Sequence, residues 1–194
     1  MQASKVMRSP IRSLAIATFA LAIGASSARA DTFFIPWAGT PFGSSLDNGR
    51  TSLGFSVGGM GAGVFGGEFD FGFGPGFFGN EDVFGNNNVL TASGNVLLGI
   101  PVGGEHGIGI RPYIVAGVGL LHADIQGTAR LASLSDTIWG WDAGGGVMLF
   151  FADHIGTRVD LRELRGVQDL EGGGLDLIGN RLHFWRASLG FVIR

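Results

Sequence analysis

In the stretch IGTRVDLRELR, residues 155–165, Ile155, Thr157, Val159 and Leu161 alternate with Gly156, Arg158, Asp160 and Arg162. A period of two is that of a β-strand, whose successive side chains point to opposite faces. One face of this strand is apolar and the other carries three charges. Such a strand either turns its charges to water, or turns its apolar face to hydrocarbon and encloses the charges. The two solutions belong to different proteins.

The same period recurs along the chain, with little helical periodicity. Eight segments are expected as strands: 32–42, 52–58, 64–74, 89–100, 108–121, 138–151, 155–165 and 181–194. Their connections alternate strictly in length. Those at 59–63, 101–107 and 152–154 are short. Those at 43–51, 75–88, 122–137 and 166–180 are long and carry LDNG, NEDVFGNNN, TARLASLSD and QDLEGGG. An up-and-down membrane barrel has tight turns at one rim and longer loops at the other. The fold expected is all-β: an eight-stranded antiparallel up-and-down transmembrane barrel with short periplasmic turns and long outer loops.

Sorting the segments by parity separates two faces. One carries Leu53, Phe55 and Val57, Phe69, Phe71 and Phe73, Val96 and Leu98, Ile110 and Ile114, Val159 and Leu161, and Leu189 and Phe191. The other carries Glu68, Asp70, Arg111, Asp142, Arg158, Asp160, Arg162 and Arg186, with Ser93, Asn95, Ser188 and many of the 36 glycines. Four acids thus stand against four arginines. Arginine suits enclosed pairing because its planar fork can meet a carboxylate with two hydrogen bonds. This face is expected to hold a structural ion network inside the barrel, with the apolar face to lipid. Within it, Asp160 is expected opposite Arg186, across a loop centred near 173.

Residues 1–30 read as a cleaved signal peptide, and 31–194 as the barrel domain. Lys5, Arg8 and Arg12 precede the short apolar run SLAIATFALAIGA (13–25), and ARA (28–30) fits a small-residue cleavage site. The leader takes four of the thirteen basic residues and none of the sixteen acids, which leaves nine against sixteen, a net of −7. That balance argues against a nucleic-acid partner, since phosphate binding needs a basic patch. With no cysteine there is no disulfide framework and no thiolate chemistry.

Trp37, Trp139, Trp141 and Trp185 share the lipid-facing parity and fall near the outer rim on this topology. They are expected to form an aromatic girdle, where amphipathic rings sit between headgroup and hydrocarbon. Phe65, Phe151 and Phe191 would serve the opposite rim. Glu163 and His183 point outward but lie beyond the apolar band.

The stretches RPYIVAGVGLLHADI (111–125), WGWDAGGGVMLFFADHIGTRVDLRELR (139–165) and FWRASLGFVIR (184–194) together resemble the small OmpA/OmpX-type outer membrane protein beta-barrel domain family. The resemblance covers most of 31–194. It implies a bacterial outer-membrane location, with membrane lipid and the outer-membrane assembly machinery as partners. Such barrels usually end on an aromatic residue, whereas this chain ends Ile193-Arg194.

Catalytic, cofactor and metal sites are not expected. GAGVFG (61–66) matches a dinucleotide-binding glycine pattern, but that pattern must open a helix, and here alternating phenylalanines follow. His106, His122, His154 and His183 share no ligand spacing. A lipid-modifying enzyme would have His183 beside Ser133, Ser135 or Asp136. A soluble lipocalin-like barrel binding an apolar ligand would invert the faces, lining a cavity with Phe and Leu and turning Arg to water. The favoured reading is a structural or surface-interaction barrel whose loops contact a ligand that the sequence does not name.

Overall fold

In the computed structural model, residues 30–43, 50–75, 88–103, 107–125, 134–167 and 183–194 are described. They form eight strands: β1 (Ala30–Phe42), β2 (Ser52–Gly61), β3 (Phe65–Gly74), β4 (Asn88–Gly99), β5 (Gly109–Ile125), β6 (Leu134–Ala152), β7 (Ile155–Gly166) and β8 (His183–Ile193). Each pairs antiparallel with its sequence neighbours, and β8 closes on β1. Closure removes the exposed edges that an open sheet would leave. No helix long and apolar enough to cross a membrane occurs among the described residues.

The short connections, the start of β1 and the end of β8 lie at one end of the barrel. The β2–β3 turn is tight: Ala62 and Gly63 take positive φ values of 49° and 67°, and the Val64 amide donates to Gly61 O at 3.0 Å. The GAGVFG pattern is therefore a hairpin turn. At the other end, β5 and β6 run on past the expected boundaries. Ala123 pairs with Asp136, and Ile125 with Leu134, so much of the expected loop 122–137 is strand.

The two faces separate as the parity requires. Phe65, Ile114 and Leu189 are 62%, 66% and 60% exposed on the outside, while Glu68 and Arg162 are 5% and 1% exposed within. This is opposite to a lipocalin-like arrangement. In water an apolar surface this large would be strongly unfavourable, and in lipid it costs nothing.

The interior is layered, which corrects the expectation of a charged and glycine-rich lining throughout. At the short-turn end, Phe33, Ile35, Met60, Leu97, Val115, Met148, Phe150 and Val192 pack with Tyr113 in one apolar cluster. At the outer ends of their strands, Val89, Leu121, Ile138, Leu164 and Phe184 are buried as well. Glu68, Asp70, Asp142, Arg158, Asp160, Arg162 and Arg186 occupy the level between. Near the rims both parities are apolar, so alternation carries no contrast there.

Candidate functional site

The central cluster is built on β7. Arg158, Asp160 and Arg162 are spaced by two and so project together into the barrel. Across the interior, Glu68 of β3 bonds Arg158 Nη1 through Oε2 and accepts from Arg162 Nη2 through Oε1 at 2.6 Å. Asp160 accepts from Arg158 Nη2 at 2.9 Å and from Arg162 Nε at 2.7 Å. Arg162 Nη1 also lies 3.3 Å from Asp142 Oδ2 on β6, so Arg162 meets three carboxylates.

Tyr113 of β5 joins the cluster at both ends of its hydroxyl. It donates to Asp160 and accepts from Arg158 Nε at 2.5 Å, and the Arg158 guanidinium sits 4.7 Å from its ring centroid. A Cβ at Gly146 would stand 2.6 Å from the Tyr113 hydroxyl, so that glycine makes room for it. Asn95 takes the remaining edge. With its amide nitrogen toward Asp142 it donates at 2.8 Å, and its oxygen accepts from Arg162 at 3.0 Å. That orientation is assigned from the surrounding donors and acceptors. Buried charges are costly unless each lone pair and proton finds a partner, and this dense pairing supplies them.

Beside it, Arg186 of β8 donates to Asp70 Oδ1 at 2.7 Å, and Asp70 Oδ2 accepts from Ser56 Oγ at 2.8 Å and from the Trp37 indole at 3.1 Å. Arg111 lies apart, at the short-turn end. Asp31 Oδ2 accepts from Arg111 at 3.3 Å and from Arg194 at 3.1 Å, and both guanidinium groups lie over Phe150. Arg194 Nε also donates to Asp153 O at 2.6 Å. The balance of four acids against four arginines is therefore not that of one network. Three arginines face four carboxylates in the middle, and Arg111 shares Asp31 with Arg194.

The family model described as "Outer membrane protein beta-barrel domain" matches residues 15–184. The chain belongs to this outer membrane protein beta-barrel family. Among solved structures, Neisserial surface protein A is similar at 14% identity and TM-score 0.62, covering 86% of this chain and 99% of that one. The N-terminal β-barrel domain of Pseudomonas aeruginosa OprF is 14% identical with a TM-score of 0.52, covering 85% and 100%. Ail, the attachment invasion locus protein of Yersinia pestis, is 13% identical with a TM-score of 0.50, covering 84% and 97%. These likenesses concern the fold. No curated protein sequence matches the chain.

As an outer membrane β-barrel, the protein lies in the bacterial outer membrane. Two expectations about its residues need correction. Asp160 and Arg186 share the inner face, but the register pairs Asp160 with Ser188 and sets Arg162 opposite Arg186. Two arginines face to face would repel; each instead turns to its own carboxylates. Trp37 is not in the girdle. It is 7% exposed and points inward, with the Arg186 guanidinium 4.1 Å from its ring centroid. Gly54, Gly72 and Gly190 leave the space for it: a Cβ at Gly72 or Gly190 would stand 3.1 or 3.2 Å from Trp37 atoms.

Trp139, Trp141 and Trp185 do point outward, near the outer ends of β6 and β8. Glu163 accepts from His183 Nε2 at 2.9 Å on the same rim. Arg165 stands 3.7 Å from Glu163 and 5.8 Å from the Trp141 ring centroid. Ser133 and the side chains of Ser135 and Asp136, the expected companions of His183, lie outside the described residues. So does His106. His122 Nδ1 is 2.7 Å from Thr137 Oγ1. Sequence reasoning missed Tyr113, Ser56, Asp31 and Arg194. Tyr113 had a usable signal, because it shares the inward parity of Arg111.

Proposed function

We propose that this protein is a non-catalytic surface barrel: a closed scaffold in the outer membrane that presents its four long connections to the cell exterior. The observation that carries this reading is the filled interior. Apolar side chains occupy both ends and the ion cluster occupies the middle. Eight strands enclose a space that side chains can fill, which favours a scaffold over a pore. The buried carboxylates and guanidinium groups are spent on one another, which favours a structural role over general acid–base chemistry. Function on rigid scaffolds usually resides in the loops they hold. Two of the similar structures are named for the cell surface or for attachment, which agrees with a surface-interaction role. Membrane lipid surrounds the barrel in this reading, and the assembly machinery inserts it.

The test is to express the protein in a diderm host and shorten each long connection to a tight turn. Retention of intact cells on immobilised extracellular-matrix proteins should fall, while the urea-unfolding midpoint of the barrel stays unchanged. Steady ion conductance across planar bilayers, or altered lipid A in expressing cells, would contradict the reading.

A further inference from the structure

In the outer half of the barrel, two deeply buried polar atoms have no hydrogen-bond partner among the described residues: Ser52 Oγ and Arg186 Nε. Both residues line one cavity of about 20 Å³, together with Trp37, Gly72, Thr91 and Phe184. Other polar groups converge there. A Cβ built on Gly72 would stand 2.6 Å from Thr91 Oγ1 and 3.0 Å from Arg186 Nη1. Thr91 Oγ1 reaches the Gly72 carbonyl only at 3.5 Å, a long bond that leaves the hydroxyl oxygen able to accept from another group.

A cavity needs roughly 10–15 Å³ of such space and two to four polar partners to hold a water. This one meets both conditions. We propose that it is a built site for one ordered water, which accepts a guanidinium N–H from Arg186 and donates to Ser52 Oγ and Thr91 Oγ1. The site would join β2, β4 and β8 at the outer end of the ion cluster and complete the coordination of Arg186. Water fits better than a halide. Arg186 already serves Asp70, and the middle of the barrel holds more carboxylates than arginines, so no positive charge is left over for an anion. An organic ligand is far too large, since such sites run to roughly 300 Å³ or more.

The test combines a high-resolution crystal structure with Ser52→Ala. The wild type should show a density peak within hydrogen-bond distance of both Ser52 Oγ and the Arg186 guanidinium. Bromide-soaked crystals should show no anomalous signal at that position. If the water is there, Ser52→Ala removes one of its partners, and the unfolding equilibrium constant in detergent should rise about tenfold. If the site is dry, the same change deletes an unpaired hydroxyl and stabilises the protein or leaves it unchanged. The wild-type peak together with a destabilised variant supports the proposal. A missing peak, a bromide signal, or an unchanged or more stable variant overturns it. Should Ser52→Ala fail to fold, the wild-type density and the bromide soak decide.

Discussion

Two sets of arginines point into this barrel, and they live in different surroundings. Arg162, at the centre, meets Glu68, Asp142 and Asp160 at 2.6 to 3.3 Å and is itself 1% exposed. Arg194, at the short-turn end, lies 3.1 Å from an Asp31 oxygen that it shares with Arg111, and Asp31 is about a quarter exposed. Both arginines form ion pairs and both side chains are buried, but the carboxylates around Arg162 are enclosed whereas Asp31 reaches water. A partner lost in a sealed site leaves a charge that nothing can solvate, whereas a partner lost at the rim is replaced by water. Enclosure, more than pairing, decides what each charge is worth.

That contrast breaks most readily at its centre. Arg162→Ala should destabilise the barrel by about 3–5 kcal/mol, because three carboxylates lose a partner at once; equilibrium urea unfolding in lipid vesicles measures it. The adjacent position tests the other face. Leu161→Arg puts the same side chain into hydrocarbon midway along β7 and should cost about 2–4 kcal/mol in the same assay. An arginine would then be required at 162 and rejected at 161. Tyr113→Phe removes a hydroxyl bonded to both Asp160 and Arg158, and should cost about 1–3 kcal/mol. Arg194→Ala should have the smallest effect, about 1 kcal/mol or less, and added salt should shrink it further. An Arg194→Ala loss as large as that of Arg162→Ala would erase the distinction between the two sites.

The architecture was legible because alternation and connection length are local signals. The apolar-out, charged-in contrast of β3, β7 and β8 spans enough residues to fix strand type and facing. Trp37 was not legible, because β1 is apolar on both faces: Phe33, Ile35 and Trp37 alternate with Phe34, Pro36 and Ala38. What settles its direction is a pocket made by glycines on β2, β3 and β8, which no local pattern reveals. The partner of Asp160 failed for a geometric reason. The β7–β8 register centres on 174, since 160 pairs with 188, and moving the centre of a hairpin by one residue moves every partner by two. The sequence-level balance of four acids and four arginines was likewise blind to height along the barrel axis, which separates Arg111 from the rest. Asp31 and Arg194 escaped because residues at the ends of strands show too few alternations to declare a face.

Val159, Leu161 and Leu189 meet lipid, while Arg158 and Asp160 are enclosed and Ser188 shares their face. The chain contains no cysteine, so single cysteines introduced at Val159, Leu161, Leu189 and Ser188 can carry a nitroxide in lipid bilayers without background labelling. Collision rates with dissolved oxygen, which concentrates in hydrocarbon, and with a water-soluble nickel chelate should show high oxygen and low nickel access at 159, 161 and 189. Ser188 should be shielded from both. High nickel access at 159 and 161, or lipid-like oxygen access at 188, would mean that the faces are assigned the wrong way round.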